Sequence, residues 1–172
     1  MAVNGGTNIT NTTTSFILFR NDGNDNFIKT AEPMGANVGL YSGNLSLGDY
    51  DNDGDLDIAI CGWMAGGAGQ RFRIYRNAGN FLFANYIEPM GVNIGVGGSN
   101  LQWADFNNDG YLDICIGGYY PVGNYRFGIY VNNKNNTFSL DTQPFGTNKG
   151  FDCAHIEITD YDNDGDLDIN AI

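Results

Sequence analysis

With 172 residues, 42% of them apolar and ten Tyr, eleven Phe and two Trp among them, the chain can bury a core of its own, which excludes a disordered tail. Twenty acids against eight bases give a formal charge of −12, a field that argues against nucleic acid as partner. No apolar run approaches the roughly 18 residues of a membrane span, and no basic and apolar leader follows Met1.

Only 16% of residues are charged, yet thirteen of the twenty acids fall in three windows, 49–57, 105–113 and 160–168. The acidity is therefore local rather than a solvated coat. Twenty-five glycines and four prolines, with no long helical pattern, fit short strands joined by tight turns. Cys61, Cys115 and Cys153 are odd in number and sit among apolar or small neighbours, so they read as small buried residues. Sequons at Asn8, Asn11, Asn44 and Asn135 permit glycosylation if the chain is secreted, although an Asn- and Thr-rich sequence produces such triplets by chance.

Taken in chain order, the elements repeat. Phe16-Ile17-Leu18-Phe19-Arg20-Asn21 recurs as Phe72-Arg73-Ile74-Tyr75-Arg76-Asn77 and as Phe127-Gly128-Ile129-Tyr130-Val131-Asn132. Glu32-Pro33-Met34-Gly35 recurs as Glu88-Pro89-Met90-Gly91 and Gln143-Pro144-Phe145-Gly146, and the acidic windows keep the same offsets of 56 and then 55. A fixed period overrides residue-by-residue readings. Within a unit the pattern predicts strands at Asn44–Tyr50, Ile58–Trp63, Arg71–Asn77 and around Phe81–Ile87. Leu45, Leu47 and Asp49 share one face, and Phe72, Ile74 and Arg76 oppose Arg73 and Tyr75. Four short strands per unit are the grammar of a β-propeller blade. The expectation is one all-β domain over 1–172: repeat 1 at about 2–43 without its first strand, repeat 2 at about 44–99, repeat 3 at about 100–153, and a closing strand with an acidic loop at 154–172.

Each acidic window has the form Asp-x-Asp/Asn-x-Asp-Gly-x-x-Asp. The first holds Asp49, Asp51, Asp53, Asp55 and Asp57; the second Asp105, Asn107, Asp109, Tyr111 and Asp113; the third Asp160, Asp162, Asp164, Asp166 and Asp168. A hard cation of calcium's size takes six to eight oxygens at roughly 2.3–2.6 Å, and alternating short acids on a tight loop can converge on one point. Glycine at the sixth place allows the sharp turn. The seventh residue supplies a backbone carbonyl, which tolerates Tyr111. An EF-hand shares the first six places but needs Glu at the twelfth, where Ile60, Ile116 and Ala171 stand instead. Zinc would want Cys or His, and magnesium a smaller, well-hydrated site. About three Ca2+ ions per chain would offset six of the twelve negative charges.

The motif Gly48-Asp49-Tyr50-Asp51-Asn52-Asp53-Gly54-Asp55-Leu56-Asp57 and its copies resemble the FG-GAP/VCBS family of repeats, found in integrin α-subunit propellers and in many secreted proteins and lectins. The resemblance implies a β-propeller with calcium in a hairpin of each blade, an extracellular or cell-surface location, and a role in adhesion or binding rather than catalysis. Asn107 departs from the pattern and should lower that site's charge.

Propellers close with roughly four to eight blades, so three units leave open sheet edges. Two arrangements follow: two chains joined head to tail into a six-bladed ring, each C-terminal strand completing the partner's first blade, or a segment of a longer repeat array. The connections Gly6–Thr14, Trp63–Gln70 and Tyr119–Tyr125 vary most, and Trp63, Tyr119 and Tyr120 are candidates to stack on a sugar ring or anchor a protein, or else cover blade edges. Trp103 aligns with Leu47 and Ile158 and is expected in the core. His155, near Cys153 and Glu157, has no nucleophile or oxyanion signature around it and reads as packing, which leaves a hydrolase or lyase as the weaker alternative. A purely structural assembly unit is the third class.

Overall fold

A computed structural model describes residues 2–6, 14–83, 85–121, 123–144, 146–147, 149–152 and 155–172. Positions 7–13, which carry the sequons at Asn8 and Asn11 and most of the Gly6–Thr14 connection, and Cys153 lie outside the described residues.

Strands β1 (Ala2–Gly6), β2 (Thr14–Asn21) and β3 (Phe27–Ala31) form a three-stranded sheet. A four-stranded sheet follows from β4 (Leu40–Gly48), β5 (Asp57–Met64), β6 (Gln70–Tyr75) and β7 (Tyr86–Ile87). Strands β8 (Gly97–Ala104), β9 (Asp113–Tyr120), β10 (Asn124–Asn132) and β11 (Phe138–Thr142) repeat it, and β12 (Ile156–Thr159) pairs with β13 (Asp168–Ala171). Every pairing is antiparallel between consecutive strands. These meanders are the kind of sheet from which propeller blades are built. Their first strands neighbour one another, β4 beside β8 and β8 beside β12.

The core lies between sheets, face on face. Phe16 and Leu18 of the first sheet meet Leu40, Ile58, Ile60 and Tyr75 of the second. The other face of β5 sends Ala59 and Cys61, with Phe72 and Ile74 of β6, against Leu101, Ile114, Ile116 and Tyr130 of the third. Cys115 and Phe127 then meet Ile156. Successive side chains of a strand point to opposite faces, so a strand covered on both sides reads as an unbroken apolar run, as Ile58-Ala59-Ile60-Cys61 does. The expected opposition of Phe72 and Ile74 to Arg73 and Tyr75 is therefore between two covered faces, and Tyr75 is buried as fully as Ile74.

The Glu-Pro-Met-Gly marker is the connector between sheets. The Gly35 N–H donates to the Glu32 carbonyl (2.8 Å) and the Val38 N–H to that of Gly35 (3.2 Å), with the same bonds at Gly91 and Gly146. The chain then presses against the preceding sheet. A Cβ at Gly95 would fall 2.0 Å from the Arg71 carbonyl carbon, and Gly39 and Gly150 make the same approach to Ser15 and Arg126. No other residue fits so close to backbone.

Several expectations need correction. The fourth strand of the second unit is only Tyr86–Ile87, because Asn80 and Phe81 hold φ of 52° and 59° and the Leu82 N–H bonds the Gly79 carbonyl, turning the chain there. The first strand begins at Leu40 and ends at Gly48, so Asp49 and Tyr50 belong to the loop. Leu45 packs on the core but Leu47 is 50% exposed. Trp103 is half-buried, resting on the core and stacked on Tyr50 at 6.2 Å.

Candidate functional site

Loops 49–57, 105–113 and 160–168 join the first to the second strand of their sheets. A common hydrogen-bond lattice winds them. The first acid accepts from the N–H groups of the fifth and sixth residues: Asp53 and Gly54 onto Asp49 (3.0 and 2.9 Å), Asp109 and Gly110 onto Asp105 (2.9 and 2.8 Å), Asp164 and Gly165 onto Asp160 (3.1 and 3.0 Å). The fifth accepts from the seventh, through Asp55, Tyr111 and Asp166. Two places need a left-handed backbone. Glycine takes one, and Asn52, Asn108 and Asn163 take the other with φ of 59°, 55° and 61°. Asparagine tolerates that region better than other non-glycine residues, so its recurrence at the fourth place was a readable signal of loop shape that the ligand pattern passes over.

The winding turns carboxylates inward. Oxygens of Asp49, Asp51 and Asp53 lie within 4.8 Å of one another, as do those of Asp160, Asp162 and Asp168. In the middle loop Asn107 stands between Asp105 and Asp109, and its amide oxygen accepts the Asp109 N–H (3.1 Å). Asp51 Oδ1 is buried with no hydrogen-bond partner. An orphaned carboxylate oxygen facing two more carboxylates fits a hard cation that takes oxygen ligands. Residues at the seventh place are held by their N–H groups, and the Asp166 side chain accepts from Asn108 (3.3 Å).

Basic side chains just past the third strands reach two of these loops, a feature the sequence pattern did not single out. Arg76 bonds Asp51 (2.5 Å) and Asp53 (2.8 Å), and Lys134 pairs with Asp109 (3.2 Å). The Asp55 N–H and then Arg76 hold Asp53 below the usual carboxylate range. Asp109 is likewise lowered; desolvation opposes this, but the Tyr111 N–H and Lys134 prevail.

The ninth-place acids divide. Asp57 is fully buried and accepts from the N–H groups of Tyr50 (3.2 Å) and Asn77 (2.8 Å), tying the loop to the segment that follows β6. Asp113 does the same with Phe106 (3.1 Å) and Asn132 (2.8 Å). Burial pushes Asp57 up to about 6 and raises Asp113, against those bonds. Asp168 is exposed and accepts from Tyr161 (2.9 Å). Burial, followed by the charge of Asp51, pushes the Tyr50 hydroxyl up to about 12.

At the far end of β5 and β9 the structure brings two of the three aromatic candidates together. Trp63 stacks on Tyr119 at 5.6 Å, and Tyr119 meets Tyr125 edge-on at 5.7 Å. Tyr120 instead lies under the Arg126 guanidinium at 4.3 Å. Trp63 also covers Gly97, where a Cβ would fall 1.9 Å from its Nε1. His155 is exposed, contrary to the packing expected of it, and its Nε2 lies 2.7 Å from Glu157. Cys61 and Cys115 are fully buried, as expected of small core residues. Among the described residues no helix is long and apolar enough to cross a membrane.

A comparison with curated proteins finds no match. Residues 63–116 match the family model of the FG-GAP-like repeat, a span that runs from the end of β5 through loop 105–113. The chain carries an FG-GAP-like repeat.

Proposed function

We propose that the protein is a calcium-binding β-propeller module, non-catalytic and extracellular, that serves binding or adhesion toward a glycan or protein. The observation that carries it is the inward set of Asp49, Asp51 and Asp53, with Asp51 Oδ1 buried and unpartnered. In this reading each of loops 49–57, 105–113 and 160–168 holds one Ca2+ through its first, third, fifth and ninth side chains and the seventh carbonyl. The loops contain neither Cys nor His, which disfavours zinc. Arg76 is a partial counter-ion for the first loop; calcium would compete with it for Asp51 and Asp53.

Thermal unfolding in calcium and after chelation tests this reading. A bound ion that ignores the unfolded chain adds about 2.7 kcal/mol at a hundredfold excess over its Kd. Calcium should raise Tm, and the Asp51→Ala variant should gain less. An unchanged Tm in millimolar calcium would sink the proposal.

The partner is less constrained. A head-to-tail ring of two chains remains the proposed assembly. One observation favours a purely structural role over a ligand platform: Trp63 and Tyr119 spend their faces on Gly97 and each other. A glycan array that stays blank in calcium would favour that structural reading.

A further inference from the structure

An aromatic residue stands second in each acidic loop, and two of the three are seated in the following sheet. Tyr50 is 2% exposed, stacked on Trp103, tilted against Phe138 at 5.8 Å, and its carbonyl accepts from Asn132 (2.8 Å). Phe106 packs on the cluster of Cys115, Phe127 and Ile156, as Ile158 and Ile169 do. Tyr161 is 82% exposed.

Among the described residues one such seat holds no ring. A cavity of about 200 Å³ between the first two sheets is lined by Leu18, Leu47, Ile58, Asn77, Phe81 and Phe83, among others. Moved on by one repeat, these become Ile74, Trp103, Ile114, Asn132, Asn136 and Phe138, the residues that surround Tyr50. An apolar cavity of about 150 Å³ holds benzene, so an aromatic ring fits. The cavity is continuous with the core of Phe16, Leu18 and Ile58. Its rim residues Leu47 and Phe81 are 50% and 42% exposed.

We infer that this cavity is the socket for Tyr161 of a second copy of the chain. The inference deepens the head-to-tail pairing proposed above and does not depend on calcium. The incoming β12 takes the first-strand place beside the receiving first sheet, and loop 160–168 lays Tyr161 over Leu47 and Phe83. The amide of Asn77, which already reaches the Leu56 carbonyl (3.2 Å), gains the Tyr161 carbonyl as Asn132 has that of Tyr50. Contacts between successive loops extend the register. Asn52 reaches Gly110 (3.0 Å) and Asn108 reaches Asp166 (3.3 Å), so Asn163 would reach the receiving loop at Gly54 or Asp55. Ile169 and Ala2 hold the same repeat position, so seating the hairpin exchanges β1 of the receiving chain for the incoming β13 at the edge of β2. Phe81 stands where Asn136 accepts the Tyr50 hydroxyl, so the socket takes the ring and leaves the hydroxyl unbound.

The test is molar mass by sedimentation equilibrium on the full chain and variants whose fold is checked by circular dichroism. The wild type should self-associate, and Tyr161→Ala should weaken this about thirtyfold for each socket it empties, about a thousandfold for the two of a closed ring, as loss of buried aromatic anchors does. Leu47→Glu should weaken it similarly, Tyr161→Phe should associate like the wild type, and mixing Tyr161→Ala with Leu47→Glu should restore a pair, since one supplies the socket and the other the ring. A monomeric wild type, or a Tyr161→Ala variant that associates undiminished, overturns the inference; the first result is what a different occupant would give. Calcium titration of the same variants separates the two readings, because Tyr161→Ala should bind calcium as the wild type does. Association without calcium binding would defeat the metal proposal alone.

Discussion

Residues 49–57 and 160–168 have the same nine amino acids in the same order. They share the bonds from the fifth and sixth N–H groups to the first acid and the Asn with positive φ, but Asp162 Oδ1 accepts the Asp164 N–H (3.2 Å) where Asp51 Oδ1 has no partner. Their surroundings differ more. Tyr50 and Asp57 are buried while Tyr161 and Asp168 are exposed, and Asp57 holds the N–H of Asn77, just past a third strand, where the second hairpin has no third strand described. The winding of an acidic loop is thus written in nine residues, and its burial is supplied by the rest of its own sheet and by the neighbouring one. A pair of identical loops in different settings lets the two contributions be measured apart.

Tyr50→Ala should show the largest difference. Truncating a buried aromatic costs about 3–5 kcal/mol, so urea unfolding should register a loss in that range, whereas Tyr161→Ala should stay within about 0.5 kcal/mol for the isolated chain. Next comes Asp57→Ala. It leaves two N–H groups without their acceptor at about 1–3 kcal/mol each, while Asp168→Ala removes one exposed bond and should cost under about 1 kcal/mol. Equal losses in the first pair would mean that the neighbouring sheet does not support the loop as described, and in the second that the turn after β6 does not.

Gly95→Ala probes the connector instead of the loop. Its Cβ would meet backbone at 2.0 Å, so a loss of several kcal/mol is expected by the same urea assay, against about 1 kcal/mol at Gly67, where a Cβ meets nothing within 4 Å and the cost is backbone strain alone. The smallest effect concerns the ion. Asn107→Asp restores the acid of the other two loops, and calorimetry should show tighter calcium at one site with the remaining sites unchanged.

Much of this was legible because the repeat states it three times. The offset of 56 and 55 fixed the meanders, and the acid spacing fixed the loops, since both depend on residues close in sequence. What escaped depends on contacts between units or on the folded geometry within one. Leu47 aligns with Trp103, yet one is exposed and the other stacked, because only Trp103 has a Tyr50 beside it. The part played by Asp57 is similar: a ninth-place acid reads as a ligand, and its bonds to Tyr50 and Asn77 become visible only in the folded hairpin. Phe81 broke the strand expected around it because an Asn-Phe pair took up left-handed backbone, a choice that its apolar character conceals.

Calcium titration by isothermal calorimetry into chelator-stripped protein tests the central claim most directly. Saturable binding near three ions per chain is expected, reduced by one site in each of Asp49→Ala, Asp105→Ala and Asp160→Ala. Absence of heat up to millimolar calcium, or binding untouched by all three substitutions, would contradict it.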